Sequence, residues 1–214
     1  MTYEKLAAID RTFLENPLED IADKLLKTGS EPIKAPREFV VKNVTARALQ
    51  KLLRLSYEVN LDLLGKSLIL ATGLEGSTRH ESSRREQSPG DQFDRSTRGS
   101  FSLHTHPPSI AELFHAPSDN DLTFSASRSS KTDVEFVVTK RGIIAYKATR
   151  EVWNAYEYPD IETHSDEEIM ESLKSVGIVS ADISWEDSSR IDVILQVING
   201  TLTWSDAKEM LKNA

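Results

Sequence analysis

The 214-residue chain contains no cysteine. Disulfides, thiolate nucleophiles and thiolate-based zinc sites are therefore excluded, because each of them needs a cysteine sulfur. The sequence also lacks any run approaching the roughly twenty apolar residues that a membrane-spanning helix needs. A basic-then-apolar signal pattern is missing as well. We therefore expect a cytoplasmic protein with no membrane partner.

Positive charge is in short supply. Lysine and arginine total 26 against 34 aspartates and glutamates, which gives a formal net charge of -8 at pH 7. A nucleic-acid surface needs clustered basic residues to displace counterions. The arginines of residues 73–98 alternate with acidic residues, a mixture typical of a solvated loop. We therefore expect no nucleic-acid partner.

Two histidines and an aspartate lie in one short stretch, within His104-Thr105-His106-Pro107 and Ser118-Asp119-Asn120-Asp121. The apolar-polar alternation of residues 101–103 predicts a half-buried strand. Residues two apart on a strand share a face, so the side chains of His104 and His106 should converge. Pro107 should end the strand. Ser118 is a typical N-cap, which predicts a short helix with Asp121 in its first turn.

This combination predicts a metallohydrolase. Catalytic zinc is held by three nitrogen or oxygen ligands and keeps a fourth position for water, and His104, His106 and Asp121 supply such a set. Iron and manganese accept the same ligands. Ser-x-x-Asp also begins many ordinary helices, in which the serine is a cap and the aspartate complements the helix dipole. The other histidines, His80, His115 and His164, are expected on the surface.

Together with an upstream glutamate, these residues resemble the motif of the JAMM metalloproteases, which have an MPN domain. The motif has a distant Glu, then His-x-His-Pro, then Ser-x-x-Asp. The family's glutamate begins a Glu-x-x-Gly-x-Leu-x-Gly segment, which residues 58–65 match except at Leu61. Glu58 is therefore preferred to Glu75 and Glu81. The stretch between the two motifs is about four residues longer than usual in the family, an insertion that a surface loop tolerates.

The resemblance covers about half of the chain and implies an MPN-like α/β fold. It implies that His104, His106 and Asp121 bind Zn²⁺, that Glu58 is the general base, and that Ser118 steadies the oxyanion. The implied substrate is an isopeptide or peptide bond after a ubiquitin-like protein tail.

Other interpretations remain open. Glu58 can be an ordinary surface residue, paired on a helix with Arg54 four positions earlier. The whole protein can be a zinc hydrolase of the same fold that acts on a small peptide or amino-acid conjugate. It can also be a non-catalytic scaffold, although an inactive protein has no chemical reason to keep the complete set of ligands and serine.

The apolar spacing predicts an α/β fold in which a mixed sheet is packed by helices. We expect an N-terminal helical extension over 1–36, the metalloprotease domain over 37–150 and a C-terminal helical region over 151–214. Strands are predicted at 39–41 and 67–71, and a hairpin at 134–139 and 143–147. A helix is predicted to run through residues 49–59 and to end near Glu58. C-terminal helices are predicted after a capping box at 165–168, at 192–198 and at 205–211.

Overall fold

The structure, a computed structural model, describes residues 16–27, 37–55, 58–64, 67–72, 100–108, 115–127, 129, 132–159 and 163–213. Within these ranges, the strands are β1 (Asn16–Pro17), β2 (Arg37–Lys42), β3 (Val59–Leu64), β4 (Ser67–Thr72), β5 (Ser100–Thr105), β6 (Thr132–Val138), β7 (Gly142–Tyr146) and β8 (Val179–Ser184). The helices are α1 (Leu18–Lys27), α2 (Ala46–Leu52), α3 (Asp119–Ser127), α4 (Arg150–Ala155), α5 (Asp166–Ser175), α6 (Ser188–Ile198) and α7 (Trp204–Asn213).

The eight described strands form one mixed sheet in the order β1-β2-β4-β3-β5-β6-β7-β8. The pairs β1-β2 and β5-β6 are parallel, and the others are antiparallel. The predicted α/β class is therefore confirmed. Strand β5, which carries His104, is hydrogen-bonded to β3 on one side and to β6 on the other.

Two apolar clusters cover the two faces of the sheet. The larger cluster packs α1, α2, α6 and α7 against the face that presents Leu103 and Phe136. The smaller cluster packs α3 and α5 against the face that presents Val137 and Ile144. Successive strand residues point to opposite faces, so His104 lies on the side of the smaller cluster. The sheet thus directs the His104 side chain toward α3.

Several sequence predictions are confirmed. The strands at 39–41 and 67–71 correspond to β2 and β4, and the hairpin corresponds to β6 and β7. The C-terminal helices form, and the capping box at Ser165 and Glu168 begins α5. The helical N-terminal prediction holds for α1, whose buried residues share one face.

The predicted helix over residues 49–59 is wrong beyond Leu52. Helix α2 ends there, and Glu58 immediately precedes strand β3. The apolar residues explain the error, because positions 49, 52 and 59 fit a helical period while Val59 and Leu61, both fully buried, fit the two-residue period of a strand.

Strand β8 was not predicted. Its residues alternate between buried and more exposed positions, as in a half-buried strand, within a region expected to be helical. Because β8 pairs with β7, the sheet continues past residue 150. The domain boundaries at 36 and 150 stay predictions.

Residues 1–15, 73–98 and 109–114 lie outside the described residues, and His80, Glu75 and Glu81 are among them. Among the helices that the structure describes, none is both long and apolar enough to cross a membrane.

Candidate metal centre

The two histidines converge at the end of β5, as their spacing predicts. The Nε2 atoms of His104 and His106 lie 3.0 Å apart. The backbone N–H of His106 donates to the carbonyl oxygen of Val138 at 2.8 Å, which ties the residue after β5 to the end of β6. Strand β5 ends at Thr105, and Pro107 directly follows His106. Both imidazoles therefore lie where strand β5 ends.

Asp121 reaches these imidazoles from the first turn of α3. Its Oδ1 atom lies 3.2 Å from His104 Nε2, and its Oδ2 atom lies 3.3 Å from His106 Nε2. The N–H and the hydroxyl of Ser118 each donate to Asp121 Oδ2 at 2.8 Å, and the Asp121 N–H donates to Ser118 Oγ at 3.2 Å. Ser118 and Asp121 therefore begin the helix, and the same carboxylate faces the histidines.

The distances fit a metal ion. The two Nε2 atoms lie 3.0 Å apart, and each faces a different oxygen of the Asp121 carboxylate, at 3.2 and 3.3 Å. One ligand atom from each of the three residues lies within 4.8 Å of the other two, and ligands at about 2.0–2.1 Å from a tetrahedral ion are separated by about 3.3 Å. His104, His106 and Asp121 thus lie close enough to bind a metal ion.

Electrostatics keep the third ligand anionic. Burial raises the pKa of Asp121, but the charge and hydrogen bond of His104, together with those of His106, outweigh burial and hold the pKa well below 3.8. The side chains of His104, His106 and Asp121 are 12%, 6% and 18% exposed. The carboxylate is therefore charged at neutral pH in a largely desolvated place.

Glu58 lies beside this group. Asn60 pairs with His104 across β3 and β5, so the same register two residues further places Glu58 opposite His106 and on the same face. The N–H of Val59 donates to Thr105 Oγ1 at 3.1 Å and fixes this end of β3. Burial, reinforced by the Asp121 charge and opposed by His106, raises the pKa of Glu58 from 4.5 to about 7.

One feature departs from common metal sites. The Nδ1 atom of His106 is buried and has no hydrogen-bond partner among the described residues. Histidine ligands usually donate their second N–H to a carbonyl or carboxylate, which orients the ring. Here the contacts of His106 Nε2 with His104 and Asp121 hold the ring instead.

Tyr158 lies next to the site, and no sequence pattern predicted it there. The Tyr158 hydroxyl donates to the carbonyl oxygen of Pro117 at 2.9 Å, directly before Ser118. Burial, and then the Asp121 charge, raise the pKa of Tyr158, so its hydroxyl keeps the proton that it donates. The ring also contacts those of Trp153 and Tyr156.

The prediction that His115 is a surface residue is wrong. His115 is buried and has three polar partners. Its N–H donates to Asp166 Oδ2 at 2.9 Å, its Nδ1 lies 2.7 Å from Thr139 Oγ1, and its Nε2 lies 3.1 Å from Asp182 Oδ1. These partners are 24, 51 and 67 positions away in the chain. No local pattern indicates such contacts.

The structure thus joins Ser118, Asp121 and both histidines in one group, with Glu58 beside it. Comparisons of the chain with models of protein families, with curated proteins and with solved structures found no match.

Proposed function

We propose that the chain is a zinc-dependent peptidase of the JAMM type with an MPN-like fold. Its proposed substrate is an isopeptide or peptide bond after a ubiquitin-like tail. The observation that carries the proposal is the convergence of His104 Nε2, His106 Nε2 and the Asp121 carboxylate, whose Oδ1 faces the first imidazole at 3.2 Å and whose Oδ2 faces the second at 3.3 Å. The motif that these residues share with the JAMM proteases supplies the reaction type.

In this proposal, His104, His106 and Asp121 hold the ion. Two imidazole nitrogens and a carboxylate that converge on one point suit zinc. Zinc, when bound, lowers the pKa of a water molecule to about 7 and so supplies a nucleophile at neutral pH.

Glu58 is the proposed general base and then general acid. A group that takes a proton from water and returns it to the leaving amine works best when its pKa is near the working pH. Burial raises the pKa of Glu58 to about 7 in the chain without a metal ion, and the charge of a bound ion would lower it from that value. Its register position opposite His106 puts the carboxylate on the face of the sheet where the water would be activated.

Ser118 has two roles in the proposal. Its hydroxyl and N–H bind Asp121 Oδ2 and thereby orient the third ligand. To steady a substrate oxyanion, the hydroxyl would have to exchange this carboxylate for the substrate oxygen. The Asp121 N–H, which donates to Ser118 Oγ, would keep the hydroxyl oxygen in place during that exchange.

The test combines metal analysis with a substrate panel. The wild-type protein, the His104→Ala/His106→Ala variant and a His164→Ala control are purified in parallel. His164 is exposed and remote in sequence from the ligands, so its loss controls for removing a histidine. We expect about one zinc per chain in the wild type and the control and none in the double variant.

The panel contains ubiquitin-like conjugates, short peptides and amino-acid conjugates. Zinc-dependent cleavage of the protein conjugates alone supports the proposal, and cleavage of the small compounds alone replaces the substrate class. Equal metal content in wild type and double variant, or metal uptake without cleavage of any of these substrates, overturns the proposed function.

A further inference from the structure

The segment from His115 to Asp121 connects the metal site to a distant part of the sheet. His104, Val137, Ile144 and Asp182 are successive partners across β5, β6, β7 and β8, so they form one row on one face. Three strand spacings separate the ends of this row by about 14 Å. Asp121 faces His104 at one end, and His115 contacts Asp182 at the other. The segment therefore spans the row.

Both ends and the middle of this segment are attached. At the beginning, His115 bonds the first residue of α5, the turn after β6 and strand β8. In the middle, Ala116 is fully buried and Pro117 accepts the Tyr158 hydrogen bond. At the end, Ser118 and Asp121 bond each other. The backbone between His115 and Asp121 is therefore restrained along most of its length.

The His115 group does not have the features of a second catalytic site. Its carboxylate, imidazole and hydroxyl have the spacing of a hydrolase triad. The Thr139 hydroxyl is buried, however, and its oxygen accepts the N–H groups of Arg141 and Gly142 at 3.2 and 3.3 Å. A nucleophile must be accessible to a substrate, so this threonine is a structural partner of His115.

An open cavity of about 580 Å³ adjoins His115. Its charged walls are largely paired already, Arg141 with Glu167 and Lys174 with both Glu171 and Asp182. Lys174 supports the His115 contact, because it lies at one oxygen of Asp182, Oδ2, while His115 lies at the other, Oδ1.

We propose that His115 is a positioning residue for the metal site, acting through the segment 115–121 on the Asp121 carboxylate, with Tyr158 as a second anchor. The inference rests on the metal site of the proposed function but not on the substrate. Asp121 is the one of the three residues that a helix carries, whereas His104 lies in β5 and His106 directly follows it, so the distance from the carboxylate to the histidines depends on how this segment is held.

The first experiment measures zinc affinity by competition with a chelator. His115→Leu replaces the imidazole by an apolar side chain of similar length and so removes both side-chain hydrogen bonds. Tyr158→Phe removes one hydroxyl. His164→Leu is the matched control at an exposed histidine. We expect about tenfold weaker zinc binding for His115→Leu, a few-fold loss for Tyr158→Phe and no change for the control, in line with the effect of residues behind metal ligands.

A double-mutant cycle separates positioning from general destabilisation. Cu²⁺ is the probe for all four proteins of the cycle, because it binds imidazole more tightly than zinc does and should therefore still bind the histidine pair when Asp121 is replaced. We expect His115→Leu to weaken Cu²⁺ binding in the wild-type background and to have no further effect beside Asp121→Asn. His115→Gln, which can still reach Asp182, should recover part of the affinity.

An equal loss in both backgrounds, or unchanged affinity in His115→Leu, overturns the positioning role. Wild-type chain that takes up zinc but cleaves no substrate overturns the proposed function and leaves this inference standing. Wild-type chain that takes up neither zinc nor Cu²⁺ overturns both.

Discussion

Ser118 and Asp121 bond each other reciprocally at the beginning of α3, since the N–H of each residue donates to the side chain of the other, at 2.8 and 3.2 Å. The Asp121 Oδ1 atom is left to face His104. One carboxylate therefore caps a helix and completes the ligand set. A substitution that weakens the cap of α3 should therefore also weaken metal binding.

Ser118→Ala should lower both stability and metal affinity. Loss of a helix cap costs about 1 kcal/mol of the free energy of unfolding, and loss of the hydroxyl removes one of the two bonds by which residue 118 holds Asp121 Oδ2. Thr45→Ala is the control, because Thr45 caps α2 in the same way at a different place. Urea unfolding and chelator competition measure the two effects. Equal metal affinities in the two variants would contradict the coupling.

Glu58→Gln should abolish hydrolysis and yet stabilise the metal-free protein above pH 7. The folded-state pKa of Glu58 is raised from 4.5 to about 7, so the folded state holds the proton more tightly than the unfolded state. Stability therefore falls as the pH rises from 4.5 through 7, by up to about 3 kcal/mol. Glutamine is never charged and should escape this loss.

The measurement for Glu58 is urea unfolding between pH 4.5 and 8 with a chelator present, because the positive charge of a bound ion would lower the pKa of Glu58. The wild-type curve should decline across this range and the variant curve should be flatter. Parallel curves would mean that Glu58 is solvated and is not the proposed base.

Added zinc should raise the melting temperature of the wild type. A ligand that binds only the folded state stabilises it by about 2.7 kcal/mol at a free concentration of one hundred times its dissociation constant. His104→Ala should lose this gain because one of the three ligands is missing. Calorimetry with and without zinc measures the difference. An equal rise in the variant would place the bound ion elsewhere.

Asp182→Asn should flatten the acid limb of the stability curve. The hydrogen bond from His115 outweighs burial and, together with the charges of His115 and Lys174, lowers the pKa of Asp182 from 3.8. A depressed carboxyl pKa contributes stability that is present above pH 3.8 and is lost as the pH falls through the folded-state pKa. Unfolding below pH 4 in wild type and variant measures it. Identical acid limbs would show that the His115 contact is not maintained in solution.

Local patterns in the sequence predicted the part of the site that local structure builds. The convergence of His104 and His106 follows from the two-residue period of a strand, and the position of Asp121 follows from a helix cap. The strand before which Glu58 lies was not predicted, because the apolar residues around Val59 satisfy two periods at once. The burial of His115 and Tyr158 depends on residues at least 24 positions away, and no local pattern records such contacts.

The pairing of β5 with a strand on each side affects how fast a metal ion can exchange. Its neighbours β3 and β6 hold the backbone of His104 by a ladder of bonds on each side, and the His106 N–H is bonded to Val138 at the end of β6, so the backbone of both histidines moves only if this part of the sheet opens. Asp121 lies on a nine-residue helix outside the sheet. Local openings of lower free energy occur first. The carboxylate should thus be the first ligand to depart and the last to arrive, and the speed of ion exchange should be set by α3 rather than by the sheet.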